Sequence, residues 1–260
     1  LHLQSRLYGN QIPEILLTHP VSATRVSEAR NRAANMPEST YDGDSVQYAY
    51  MRARARILAA SPATVEREYY LRSLSHNAQD REALYGLALI DILSGDGKSA
   101  MDYLSAIEGQ RQVNVQLALA KAEHLQKQDE AALARYQALQ RNYPQYLPVA
   151  LQYADQLIRV GQSDEARRVL LSSPAYRDKQ PEAFRLLALA ARDSEREPEA
   201  HYQMAAYFRY RGNYRAAINQ LHTGLQRENL SAAERARLES RMDDYRRTAP
   251  RELRRQRSDG

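Results

Sequence analysis

Histidines are the side chains in this sequence best suited to holding a metal ion or moving a proton near neutral pH. There are six of them: His2, His19, His76, His124, His201 and His222. A zinc peptidase needs two histidines one helical turn apart with a glutamate beside the first, in the pattern His-Glu-x-x-His. No two of the six histidines form this pattern, so we assign no catalytic residue to this chain and expect it to bind no cofactor by itself.

Other catalytic patterns are missing as well. The sequence has no cysteine, which excludes thiolate nucleophiles and disulfides. It has neither a Gly-x-Ser-x-Gly nucleophile turn nor a glycine-rich phosphate loop. We therefore interpret the chain as a binding module, and its polar residues as parts of a binding surface.

The positive charge of the chain is concentrated at its end. The formal net charge is +5, and residues 246–260 hold six arginines against two acidic residues. The nearly neutral body lacks the face of clustered Lys and Arg that phosphate binding needs, so we predict no nucleic-acid binding. The alternative, a nucleic-acid binder that acts through the arginine tail, predicts a salt-dependent affinity that is lost when this tail is removed.

Turn residues divide the chain into three parts. Residues 1–20 are predicted to be irregular, because Gly9, Pro13 and Pro20 interrupt any helix. An amphipathic helix is predicted from Ser22 to Met36, and the polar run from Pro37 to Asp44 is the best linker candidate. We predict a short loop and helix that end one domain at residues 1–40. A helical array then spans residues 44–247, and a basic, disordered tail covers residues 248–260.

A small residue followed four positions later by a large one recurs along the predicted array. The pairs are Ala132 with Tyr136, Ala166 with Leu170, and Ala217 with Leu221, and small residues stand twelve positions before them at Ala120, Ala154 and Ala205. The first two pairs are 34 residues apart, which is the period of the tetratricopeptide repeat (TPR). The third interval is longer, and residues 181–193 are predicted to form the extra helix that it must contain.

The repeat predicts an all-α, TPR-like α-solenoid of stacked helical hairpins. Gly161 and Gly212 stand where the two helices of a hairpin meet, and Ser231 with Glu234 forms the capping box of a final helix. Of the 18 tyrosines, those at positions 85, 136 and 153 are expected to pack between helices rather than to bind bases.

The first helix of each hairpin lines the inner surface of such an array, where repeat proteins bind other polypeptides. The register of these helices projects polar side chains of mixed sign onto that surface. We predict a protein-binding groove formed by Lys121, His124, Asp155, Arg159, Tyr202 and Arg209.

The segment before the array carries a more specific signal. The run Ile12-Pro13-Glu14-Ile15-Leu16-Leu17-Thr18-His19-Pro20 is followed by Arg25 and by Arg30-Asn31-Arg32-Ala33. It resembles the segment that closes the catalytic domain in a family of periplasmic, membrane-associated zinc metallopeptidases, whose catalytic domain is followed by a TPR array. The zinc helix of that family has no counterpart here. The resemblance is therefore to the C-terminal portion of such a protein.

This resemblance implies a role and a location. It implies that zinc belongs to the full-length parent, where His19 is placed as a regulatory ligand able to occupy the open coordination position. It also implies a periplasmic protein that acts on outer-membrane proteins and their assembly machinery, with the peptidase domain as a partner in cis. No stretch reaches the ~20 apolar residues of a membrane span, and Leu1 to Gln4 do not read as a signal peptide, which we expect upstream. The alternative is a free-standing TPR adaptor without peptidase activity.

Overall fold

A computed structural model describes residues 23–35, 45–59, 63–228 and 230–250 of this chain. His19 and the basic residues 251–260 lie outside these ranges. The chain divides into two compact units, Leu1–Ser45 and Val46–Gly260. The described residues contain helices and no strand, which confirms the predicted all-α class.

The first unit contributes one described helix, α1 (Ala23–Ala34). The helices of the second unit are α2 (Val46–Ala59), α3 (Ala63–His76), α4 (Arg81–Ser94), α5 (Gly97–Ser105), α6 (Val113–Leu125), α7 (Asp129–Asn142), α8 (Leu147–Arg159), α9 (Ser163–Ser172), the single turn α10 (Pro174–Arg177), α11 (Pro181–Asp193), α12 (Glu197–Tyr210), α13 (Tyr214–Leu225) and α14 (Ala232–Thr248).

Helices of the second unit pack in sequence as hairpins, and each hairpin stacks on the next. We call α2, α4, α6, α8 and α11 the A helices, because they begin the hairpins. Several A helices are also neighbours of one another: α4 packs on α2 and α6, and α11 packs on α8. The buried side chains of the described ranges form clusters that follow this stacking, from α2 to α6, from α6 to α11 and from α12 to α14.

The repeated small residues lie where two helices approach closely. All six predicted alanines, at positions 120, 132, 154, 166, 205 and 217, are fully buried, and so are Leu170 and Leu221. Tyr85, Tyr136 and Tyr153 are buried as well, which confirms their assignment to the core. Because a methyl side chain lets the backbones approach, the large residue four positions later can fill the remaining space. The predicted TPR-like α-solenoid is therefore present.

The turns inside the hairpins repeat with the same period. Lys127, Gly161 and Glu195 stand 34 residues apart and have φ angles of 63°, 78° and 57°. After each of them the next backbone N–H donates to the carbonyl five residues earlier, at 2.8 to 2.9 Å. This left-handed turn ends one helix and reverses the chain into the next.

The turn at Glu195 assigns α11 to a regular repeat. The sequence predicted this segment as an extra helix, and the helix is present with the expected bounds, Pro181–Asp193. However, α11 and α12 form an ordinary hairpin, and α12 packs extensively on both α11 and α13. Helix α12 is thus the second helix of one hairpin, with α11, and the first helix of the next, with α13. Gly212 (φ 80°) provides the left-handed turn between α12 and α13.

Candidate functional site: a groove along the A helices

One pocket of the second unit is lined by the A helices α2, α4, α6 and α8 and by the residue that precedes α8. It encloses about 80 Å³. We call this pocket the A-helix groove. Its lining residues are Met51, Arg54, Tyr85, Leu89, Asn114, Leu117, Ala118, Lys121, Tyr146, Pro148 and Gln152. The sites on α6 follow the spacing i, i+3, i+4 and i+7, which places them on one helical face.

The polar groups of the groove are mainly hydrogen-bond donors. Arg54 and Lys121 are its two cations, and the lining within the described ranges includes no carboxylate. Burial lowers the pKa of the Lys121 ammonium below its usual range, and the nearby charge of Arg54 acts in the same direction. A cation held in such a place favours an anionic neighbour, because the anion compensates for lost hydration.

Two further polar side chains of the groove are deeply placed. Asn114 is only 9% exposed, and its side-chain amide makes no hydrogen bond among the described residues. Tyr85 is buried beside Tyr50, with their ring centroids 4.9 Å apart. Burial raises the pKa of Tyr85 to about 12, so its phenol stays protonated at neutral pH and can donate.

Three of the predicted groove residues lie near one another. Asp155 and Arg159 form an ion pair one turn apart on α8, with Nε and Oδ2 at 2.8 Å. Their charges act on the Lys121 ammonium in opposite directions. Lys121 lines the groove itself, whereas the Asp155–Arg159 pair lies beside it, outside the pocket lining.

His124 takes part in a contact between neighbouring repeats. Its Nδ1 lies 2.5 Å from Oδ1 of Asp129 at the start of α7. Gln156 of α8 donates from Nε2 to the same Asp129 oxygen at 3.0 Å. This hydrogen bond from His124 is the main reason that the pKa of Asp129 lies below its usual value. The imidazole therefore helps to hold the turn between α6 and α7 against α8.

Tyr202 and Arg209 lie together in a different place, against the last helix. Tyr202 is 8% exposed, and its ring is covered by the guanidinium groups of Arg237 and Arg241, at 3.8 and 4.4 Å from the centroid. Arg241 also donates to the Tyr202 hydroxyl. The guanidinium of Arg209 lies 4.2 Å from the ring centroid of Tyr214. The structure thus separates these two residues from the A-helix groove.

The sequence interpretation missed most of the groove lining. Arg54, Asn114, Tyr146 and Gln152 were not predicted as groove residues, and Tyr85 was assigned to the core alone. A signal for Asn114 was present, because it lies seven positions before Lys121 on the same helical face. No comparable signal existed for Arg54, since α2 carries no repeat signature that fixes its register.

The described ranges have neither the side-chain cluster of a metal site nor the helix of a membrane span. They contain no group of three or more His, Asp or Glu side chains placed to hold a metal ion. The same ranges contain no helix long and apolar enough to cross a membrane.

Stacked hairpins with small residues at the helix crossings define a TPR-like α-solenoid, and a polar groove runs along its A helices. The chain is similar to the β-barrel assembly-enhancing protease of Yersinia pestis, with 26% identity over 247 residues. The match covers 94% of this chain and 51% of that protein, so the chain spans about half of its relative's length. This similarity confirms the resemblance inferred from the sequence.

No protein-family model matches the chain. Among solved structures, a thermophilic TPR protein from Thermus thermophilus is similar over 75% of this chain and 98% of its own, with 20% identity and a TM-score of 0.42.

Proposed function

We propose that this chain is the protein-interaction region of a periplasmic zinc metallopeptidase that takes part in outer-membrane protein assembly and quality control. The similarity to a β-barrel assembly-enhancing protease supports this proposal. The A-helix groove supports the interaction role, because it offers hydrogen-bond donors and apolar surface to an extended chain. Its partners are outer-membrane proteins, the machinery that assembles them, and the peptidase domain in cis.

The peptidase chemistry belongs elsewhere in the parent protein. The described residues contain no group of His, Asp or Glu side chains placed to hold a metal ion, and we assign the catalytic step to the zinc domain of the parent protein. In this proposal the array binds a substrate polypeptide, here called the client, and the zinc domain cleaves it. Residues 1–40 form the end of the peptidase domain, residues 44–247 the array, and residues 248–260 the tail.

Site-specific crosslinking tests the interaction role. A photo-crosslinking amino acid replaces Gln152 in the groove, and in a matched variant it replaces Arg168, an exposed residue on the opposite helix of the same hairpin. An unfolded outer-membrane β-barrel protein, diluted from urea, is then offered to each variant. We expect crosslinks mainly from position 152. Equal crosslinking from both positions, or none from either, would contradict the proposed role of the groove.

His19 is proposed to regulate the zinc site of the parent protein. A neutral imidazole competes with water for the open position of a catalytic zinc ion, so His19→Ala in the full-length protein should raise proteolysis. Zinc content is measured beside activity. Unchanged proteolysis with unchanged zinc content would remove this assignment.

The rival reading is a free-standing TPR adaptor. The two readings differ in the DNA upstream of the codon for Leu1. The proposed function requires an upstream reading frame with His-Glu-x-x-His and a periplasmic signal, whereas an adaptor requires neither.

A further inference from the structure

The A-helix groove carries an excess of positive charge that the array does not neutralise. Lys121 makes no hydrogen bond or ion pair within the described ranges, and Arg54 makes no ion pair there. Asp155, the acidic residue whose charge acts on Lys121, is already paired with Arg159. The groove therefore holds two cations whose anionic partner is not part of the described chain.

Other acidic residues on the A helices are committed to local partners. Glu82 accepts two hydrogen bonds from Nε of Arg52, each at 2.9 Å, and Asp91 pairs with Arg67. Glu123 likewise pairs with Arg135. Each buried carboxylate on α4 and α6 thus has its own arginine. Lys121 differs from these paired residues, because it is partly buried and no carboxylate of the described chain forms an ion pair with it.

Asn114 provides an independent indication at the same place. Its side chain is nine-tenths buried, lines the groove, and lacks a hydrogen-bond partner among the described residues. The amide is therefore free to form a hydrogen bond with an occupant of the groove. An occupant that accepts hydrogen bonds satisfies Asn114 and Lys121 together, because both line the same pocket.

The size and rim of the groove identify the form of the occupant. A volume of about 80 Å³ accommodates a single side chain of the occupant. Met51, Leu89 and Pro148 add apolar surface around the cations. A nucleic-acid strand would instead need positive side chains repeated along its backbone. An extended polypeptide matches both the polar centre and the apolar rim.

We propose that the A-helix groove binds an acidic segment of a partner polypeptide, with an aspartate or glutamate carboxylate held between Lys121, Arg54 and Asn114. This inference rests on the proposed function and specifies the chemistry of the client at the groove. Charge-assisted hydrogen bonds from an ammonium and a guanidinium are short and stronger than neutral ones, so they select carboxylates over amides.

Fluorescence anisotropy of labelled peptides tests the proposal with the full chain. The probes are a short glutamate-rich peptide with an amidated C-terminus and the same peptide with glutamine at every glutamate. The variants are Lys121→Met and the control Lys98→Met, which removes an exposed lysine on α5. We expect the glutamate peptide to bind the wild type and the control equally, and Lys121→Met about tenfold or more weakly.

Several outcomes would overturn the inference. Equal binding of the glutamine peptide, or unchanged affinity in Lys121→Met, would show that carboxylate recognition at this pocket is wrong. Binding that requires a free C-terminal carboxylate, or a preference for single-stranded DNA, would also reject it. If Lys121→Met lowers the midpoint of thermal unfolding, the affinity of Arg54→Gln for the glutamate peptide is measured instead, and unchanged affinity would overturn the inference. The Arg54 side chain is exposed, so this substitution leaves the core packing intact.

The crosslinking experiment separates this inference from the proposed function. Crosslinks to an unfolded outer-membrane protein at position 152, combined with no selective binding of the glutamate peptide, would reject the acidic client alone. Loss of both signals would reject the groove as a binding site altogether.

Discussion

The ring of Tyr70 packs directly over the backbone of Gly86, so closely that a Cβ atom on Gly86 would lie 2.5 Å from Cε2 of Tyr70. This contact joins α3 to α4 and depends on the missing side chain. Gly86→Ala should destabilise the second unit by about 1–3 kcal/mol, because the added methyl group overpacks the core. The free energy of unfolding in urea is the measurement.

A double variant provides the control for this contact. Replacing Tyr70 with Leu leaves space for the new methyl group, so Gly86→Ala should cost less in that background. Equal losses with tyrosine and with leucine at position 70 would show that the close approach does not limit the packing.

Tyr70 also gives an alkaline limit to stability. Burial raises the pKa of its phenol to about 12, above the usual value of 10.0. The unfolded chain therefore loses this proton first, and the contribution to stability is full below pH 10 and is lost as the pH rises towards 12. Tyr70→Phe should flatten this decline in the free energy of unfolding, measured by urea titrations between pH 8 and pH 12.

At neutral pH the same substitution should stabilise the protein by about 1 kcal/mol, because the buried Tyr70 hydroxyl has no hydrogen-bond partner in the described ranges. Tyr69→Phe is the matched control, since the neighbouring ring is exposed. Identical pH profiles for the two variants would be inconsistent with this account.

Arg135 neutralises a buried carboxylate inside the hairpin of α6 and α7. Its Nε lies 3.1 and 3.0 Å from the two carboxylate oxygens of Glu123, whose side chain is 7% exposed. Arg135→Met should destabilise the protein by about 2–4 kcal/mol, because an unpaired carboxylate stays buried. Thermal or urea unfolding measures the loss.

The surface pair of Arg168 and Glu165 is the control for this loss. The Arg168 side chain is 75% exposed, so Arg168→Met should change the free energy of unfolding by no more than about 1 kcal/mol. Combining Arg135→Met with Glu123→Gln should recover part of the stability, because the amide carries no charge. A double variant no more stable than Arg135→Met would contradict the burial argument.

The left-handed turns predict two stabilising substitutions. Lys127 and Glu195 adopt positive φ angles that cost a side chain about 1 kcal/mol, whereas Gly161 occupies the equivalent position freely. Lys127→Gly and Glu195→Gly should each stabilise the protein by about 0.5–1 kcal/mol. Gly161→Ala is the opposite control and should destabilise it. The midpoint of urea unfolding measures these changes. A loss of stability in both glycine variants would contradict the prediction.

Local spacing was enough to predict the fold. The alanines at small-residue positions and the large residues after them are buried as expected, because helix crossings recur with the repeat and demand the same residue sizes each time. Helix α11 was predicted as an extra helix and is present with the expected bounds, but its pairing with α12 in a regular hairpin was not predicted. Its turn uses Glu195 where Gly161 stands in the preceding repeat, so residue type concealed a repeated backbone conformation.

The site depended far more on tertiary structure. Lys121 was predicted from helix register and does line the groove. Tyr202 was chosen by the same reasoning, yet the arginines of α14 cover its ring. Register tells which face of a helix a residue occupies, but it does not tell which later helix packs on that face.

The sequence by itself determined the helical repeats, their core alanines and the absence of a His-Glu-x-x-His pattern, because each depends on residues within one or two helical turns. Only the tertiary structure decided that Arg54, Asn114 and Lys121 share one pocket. Those residues come from two A helices far apart in sequence, and their proximity follows from how successive hairpins stack. The net charge of the groove also follows from the tertiary structure, because it depends on which carboxylates form ion pairs with arginines elsewhere in the array.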